Sequence, residues 1–598
     1  MKLSRALGII GVLGGASCAA PAEQASSNED PVPVSTSQEA RSTASDLSIP
    51  DLTCAWSQWG QDASHEGQSC VTGQAPTHVL DHLVYDPFQF QEIAEGGGDL
   101  FVHYQVPLND AAGNFYMLQK GGTFTPCDPP GSGTPAPCGL SQGNLVHEIW
   151  SENKYHRKHD GSYELAWSFE SDWKPFPVRV WEPMFQPALA GPLLYVPGAG
   201  GSVWQVLTIF DHAVTLQRIN PFHTVDPNTY VTSGVTVDKL GFAYWNVLRQ
   251  DPVTGENHGF LVKAAPWGQT WTVDYEHLIP GAPAATDSCV ISFFAATPQP
   301  PRPWPPSADA VAPQGLCGRQ RPGVNVAPAI GTDGTIFTAS TADRNPSYSY
   351  VIALKPDLSL KWATSLRGLV HDGCGVHRPG FPEGDVPCST TFSAVGVDPN
   401  TNLPPALFVL DVSSSTPVAL PDGGVLYGAL DDYNFSRGHL VKLGRGGQLS
   451  GTYTFGWDST PAIYEHDHTY SIVLKDNHYL TNGPFYITQL SKDLQPEWQF
   501  QDRTTQACGR QPDGTIKCTD EPHPNGFEWC VNAPAVDAKG NVFANSEDGN
   551  VYQIGQGGIL KTQTFLNQAL GAAYTPISLD PAGRVYVLNN GELTVFGR

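Results

Sequence analysis

Basic residues are few in this chain and nowhere clustered. The 33 Lys and Arg stand against 58 Asp and Glu, a formal net charge of −25. A surface of that sign without a basic patch excludes nucleic acid and an anionic membrane surface as partners. Charged residues make up only 15% of the chain, and no apolar run after the first twenty residues reaches the length that spans a bilayer. Cysteines are never adjacent and never spaced CxxC or CxxCH, which excludes zinc ribbons and attached c-type haem. His-Glu-x-x-His and phosphate-loop patterns are absent as well. Chain breakers, by contrast, are plentiful: 61 Gly and 52 Pro punctuate the whole length, so long helices are not expected.

Residues 1–17 read as a signal peptide, with Lys2 and Arg5, an apolar run from Ala6 to Leu13, and small residues before Cys18. Gly15, Ala16, Ser17 and Cys18 resemble a bacterial lipobox, with glycine where leucine is usual. The expectation is an exported chain, lipidated at Cys18 and held at the outer membrane or cell surface, touching membrane only through that anchor. A secreted or periplasmic form is the alternative. Residues 18–50, rich in Ser, Ala, Glu and Pro, cannot bury enough apolar surface to order themselves and read as a flexible tether. Residues 51–598 form the folded domain, expected as a monomer.

Eleven of the 12 cysteines remain after Cys18. Their spacing suggests loop disulfides in an oxidising compartment: Cys54–Cys70, Cys127–Cys138, Cys289–Cys317, Cys374–Cys388 and Cys508–Cys518. Cys530 is left over as a buried thiol.

Repeats decide the fold. "APAIGTDGTIFTAS" from Ala327, "APAVDAKGNVFANS" from Ala533, "TPVALPDGGVLYGAL" from Thr416 and "TPISLDPAGRVYVLN" from Thr575 each read as strand, tight turn, strand. Asp-Gly, Lys-Gly or Gly-Gly in the turns accommodates positive φ. A second hairpin ending in an aromatic follows most copies, as in "YVIALKPDLSLKW" and "NVYQIGQGGILKTQTF". Four strands per unit point to propeller blades. These units resemble the PQQ-like repeat of quinoprotein alcohol dehydrogenases, and "WSQWGQDASHEG" at Trp56 to Gly67 resembles the opening of such propellers. The resemblance implies an all-β chain forming a single closed β-propeller of four-stranded blades. Eight blades are expected, with seven as the alternative. The last unit supplies three strands, so an N-terminal strand near Asp81 to Tyr85 should complete it and remove both free edges.

"CGRQRPG" from Cys317, "CGVHRPG" from Cys374 and "CGRQPDG" from Cys508 look like three copies of one stapling device. If strands A to D run outward from the axis, all three lie in D-to-A connections and share a face with the B-to-C loops. That face gains the longest, disulfide-stapled loops, and the other has tight turns. The candidate ligand-binding residues on this decorated face are Arg319, Arg378 and Arg510, which suit an anionic group, His371, Asp372 and His377, and Glu528 with Trp529 where "FEWC" enters strand A. "EHDH" at Glu465 to His468 has metal-binding residue types but falls in an A-to-B turn, so no metal site is assigned.

The resemblance implies PQQ and calcium in the enzymes of the family. Their adjacent-cysteine disulfide is missing here and their calcium ligands cannot be matched, so no cofactor is predicted. The function expected is binding or scaffolding through the decorated face, with an unidentified protein, small molecule or glycan as ligand. The alternative is a secreted enzyme, a divergent PQQ- and calcium-dependent dehydrogenase or a lyase or hydrolase, working at the channel mouth. For the anchor, palmitate labelling in a bacterial host should mark the wild-type chain and not Cys18→Ala. Equal labelling would contradict lipidation at that residue.

Overall fold

The computed structural model describes residues 54–95, 105–124, 147–177, 183–377, 387–389, 391–411, 413–431, 433, 438–479, 483–511, 513–519, 523–568 and 575–598. The signal peptide and tether with Cys18, the Cys127–Cys138 pair and Arg378 lie outside these residues. Among the described residues no helix is long and apolar enough to cross a membrane.

Four of the A-to-B hairpins are built around one aspartate each. Asp110, Asp238, Asp537 and Asp580 all accept the backbone N–H groups two and four residues on. The glycine within each turn takes positive φ: Gly113 at 78°, Gly241 at 84°, Gly540 at 73° and Gly583 at 77°. A side chain there would strain the turn that the carboxylate organises. Each hairpin then continues into a second, giving eight antiparallel sheets in sequence order. Blades 1 to 7 span 108–171, 188–219, 229–274, 320–365, 407–455, 462–501 and 535–565. In blades 3, 4 and 5 the innermost strand is split in two, both pieces pairing with the same neighbour.

Blade 8 closes the circle as the repeat count implied. Ile577–Leu579, Val585–Asn589 and Glu592–Phe596 supply three strands, and Val79–Val84 pairs with the last of these as the outermost strand. The apolar core lies mainly in layers between neighbouring blades, such as Phe337, Val351, Leu407 and Tyr427 between blades 4 and 5. A wider cluster joins blades 1, 2, 3, 7 and 8.

The axis is filled by the chain's own N-terminal segment. Between Trp56 and Gln74 the backbone makes one circuit and meets the blades in order. The carbonyls of Trp56, Ser57, Ala63, Ser64, Glu66 and Gly67 accept the N–H groups of Asn109, Leu189, Ile330, Ala419, Ile463 and Val536 at 2.6–2.9 Å, from blades 1, 2, 4, 5, 6 and 7. For blade 3 the Gln58 side-chain amide exchanges two bonds with the Val237 backbone, and for blade 8 Gln74 N–H donates to Gly583 at 2.7 Å. The Cys54–Cys70 disulfide, Cα atoms 5.5 Å apart, joins the two ends of the circuit. Trp56 and Trp59 fill the interior and are fully buried. Because in blades 1, 3, 4, 5 and 7 these contacts are made by the last residue of the innermost strand, the ring sits toward the A-to-B end of the channel.

Two residue types permit so tight a circle. Gly60 lies at φ 60°, and a Cβ there would come within 2.6 Å of the His65 backbone. His65 is fully buried between Pro417 O, 2.9 Å from Nδ1, and Thr236 Oγ1, 3.3 Å from Nε2. Burial holds its imidazole down to about 4, so it is neutral and donates from Nδ1 to the carbonyl. Burial, and then the Asp62 and Glu465 carboxylates, push Glu66 up to about 8.

Gly60→Ala should therefore cost about 1–3 kcal/mol of stability, read as a lower denaturant midpoint. An unchanged midpoint would mean the ring carries no strain-sensitive contact. The raised Glu66 carboxyl binds its proton more tightly folded than unfolded. Its contribution is complete below about pH 4.5 and is lost as pH rises through about 8. Melting curves should show Glu66→Gln gaining on wild type across that window and level with it at the acid end. Parallel profiles would contradict this.

Candidate functional site

The decorated face carries the three stapled insertions, and the structure pairs their cysteines as their spacing suggested: Cys289–Cys317, Cys374–Cys388 and Cys508–Cys518. Cys530 is buried and takes part in no described disulfide. Two of the insertions form small extra hairpins, Ser288–Val290 with Gln314–Leu316 and Ala507–Arg510 with Ile516–Thr519. The three Cys-Gly stretches are not one device. Residues after Cys317 run directly into the innermost strand of blade 4 at Gln320–Pro322, Cys508 sits inside a hairpin, and Cys374 lies in an irregular loop. They share a face and a covalent staple, not a backbone conformation.

The candidate residues are dispersed over that face. Arg319 pairs with Glu276 and lies 3.8 Å from Glu256, tying its insertion to blade 3. Arg510 is exposed, donates to the carbonyls of Leu566 at 3.3 Å and Gly514 at 3.4 Å, and lies 5.9 Å from the Phe565 ring. His371 and His377 are exposed. Asp372 is buried, with Oδ2 2.5 Å from His439 Nε2, which fastens the second insertion to blade 5. Trp529 is fully buried, its ring 5.0 Å from Tyr552 and 5.9 Å from Phe500. Glu528 is half-buried beside it, its carbonyl accepting from Ser546 Oγ at 3.0 Å.

Sequence reasoning missed three features, each needing partners distant in the chain. Arg321, two residues after Arg319, is buried and holds Asp411 with both terminal nitrogens at 2.8 and 2.6 Å and Asp343 through Nε at 2.8 Å. Asp372, Asp431 and His439, all buried, offer one donor atom each within 4.8 Å of one another, a set that could hold a divalent cation. Asp502 and Asp548 form a buried carboxylate pair, bonded by Ser546 and Tyr552 hydroxyls at 2.5 Å. Burial and then the Asp548 charge push Asp502 up to about 7. Of Glu465 to His468, expected as an A-to-B turn, Glu465 and His466 end the innermost strand and Asp467 and His468 make the turn at positive φ, with His466 Nε2 2.9 Å from Ser471 Oγ.

The four described disulfides join cysteines 10 to 28 positions apart. The buried Asp458 carboxylate accepts from Ser413 Oγ at 3.2 Å, from Ser414 N and Oγ at 2.6 and 2.7 Å, and from Lys475 at 3.4 Å.

The polar lining at the outer rim is more open. Between blades 7 and 8 a groove of about 550 Å³ is bounded by the Cys508–Cys518 hairpin, the outermost strand of each blade, and Phe90.

No family model matches the sequence, and no curated protein matches it. Among solved structures the chain is similar to a europium-containing methanol dehydrogenase, at 10% identity over 89% of each chain with a TM-score of 0.45. It is also similar to the quinohemoprotein alcohol dehydrogenase from Comamonas testosteroni, at 11% identity over 92% of this chain and 81% of that one, TM-score 0.46. BamB from Moraxella catarrhalis is similar at 10% identity over 69% and 96%, TM-score 0.31. These similarities bear on the fold alone. By its own strand pairing the chain is an eight-bladed β-propeller of the kind its PQQ-like repeats resemble.

Proposed function

We propose that the protein is an exported binding or scaffold propeller, anchored through a lipid on Cys18, that recognises its ligand with the decorated face. The asymmetry of the two faces carries this reading. One end of the channel is stoppered by the ring and edged by tight aspartate turns. The other bears three covalently stapled insertions, and loops this long are usually functional. Cys70, where the ring ends, is exposed on the plain side, and the chain before Cys54 joins there through the disulfide. An anchor upstream would hold the plain face toward the membrane and turn the insertions outward.

The test compares immobilised wild-type chain with two variants against cell-envelope extract and a glycan panel. A ligand retained by wild type should be lost by at least about tenfold in Kd from Cys508→Ser/Cys518→Ser at unchanged Tm, and kept by His466→Ala on the plain face. The reverse pattern would exchange the faces. Turnover of primary alcohols on adding PQQ and calcium would replace the binding reading with an enzymatic one.

A further inference from the structure

We infer that the groove between blades 7 and 8 is an oligosaccharide-binding site, an inference that rests on the decorated face being the recognition surface and names its ligand class. The cavity, about 550 Å³, is in the size range of small-ligand sites, roughly 300–1,000 Å³. Its polar lining includes four carboxamides, Gln511, Asn567, Asn589 and Asn590. Three of these amides are held in one orientation by the protein. Asn589 Nδ2 donates to Asn567 O at 2.9 Å, Asn590 Nδ2 donates to Gln568 O at 2.5 Å, and Asn567 Oδ1 accepts from Arg510 N at 2.9 Å. The atoms left over are two acceptors, Asn589 Oδ1 and Asn590 Oδ1, and one donor, Asn567 Nδ2. Asn589 is only 4% exposed and borders the groove, so its amide is held in place by the protein around it.

Fixed donors and acceptors of this kind match sugar hydroxyls, each of which both donates and accepts. Sugars also have apolar faces that need a ring to lie against. Phe90, 67% exposed, stands at the rim, a cost in water that a stacked pyranose would offset.

Charge does not favour a strongly ionic ligand. His82 and Glu592 face each other at 2.9 Å, and Arg510 already donates to two carbonyls. A peptide would bind most readily by adding a strand to the outer edge of Val79–Val84. That edge is broken by a register shift between Val79 and Asp81, and Asp81 Oδ2 accepts from Tyr163 N of blade 1 at 2.6 Å. Both features spoil an edge for pairing.

Calorimetry of the full chain with the uncharged oligosaccharides cellohexaose, chitohexaose and mannohexaose tests the inference. At least one should bind, and Phe90→Ala and Asn590→Ala should each weaken it by about tenfold or more at unchanged Tm. The inference is overturned if none binds at millimolar concentration, if both variants bind as wild type does, or if an extended peptide occupies the groove in their place. Should all three sugars fail while Cys508→Ser/Cys518→Ser still loses a ligand captured from the envelope extract, the sugar inference falls and the decorated face stands.

Discussion

Everything in this fold depends on the hydrogen bonds between the N-terminal ring and the innermost strands. An innermost strand has a sheet partner on one side only, and its other edge faces the axis. The N–H groups of Asn109, Leu189, Ile330, Ala419, Ile463 and Val536 would be buried there with nothing to donate to. An unsatisfied buried donor costs about 1–3 kcal/mol, so six together would exceed a large part of a domain's net stability of about 5–15 kcal/mol. The ring supplies one carbonyl to each, and Trp56 and Trp59 occupy the remaining space.

The ring also explains why the two faces differ. The A-to-B turns adjoin the strand ends that hold it, so lengthening one would move a strand end off its carbonyl. They are accordingly short, and those of blades 1, 3, 7 and 8 are built alike around an aspartate. The D-to-A connections at the opposite end carry no such constraint. They have grown into insertions that need local fastening, which the disulfides, Arg319, Arg321 and the Asp372–His439 contact provide.

Local chemistry made much of this readable. Asp and Gly at fixed offsets announce a hairpin, repeated hairpins announce blades, and a last unit short of one strand announces closure by the N-terminus. Cysteine spacing gave the staples for the same reason, since short loops bring their ends together cheaply. The ring was opaque. "WSQWGQDASHEG" has neither strand nor helix periodicity, because its conformation is set by contacts scattered over hundreds of residues. The same holds for Arg321 with Asp411 and for Asp431 with His439, whose partners are neighbours only in space. The Cys-Gly stretches misled in the opposite way: similar letters adopted three backbone paths, because one was recruited into a blade and another into a hairpin.

The circuit from Trp56 to Gln74 has a consequence for how the molecule is made. Its partners run from Asn109 in the first blade to Gly583 in the last, so a segment synthesised before any blade is the one whose place is completed last. A growing chain can build hairpins and pack neighbouring blades, but it cannot thread its axis until the final blade exists. Contacts this non-local make closure slow, and an unfinished propeller keeps its innermost edges open to other strands. The ring therefore reports whether the last blade has arrived.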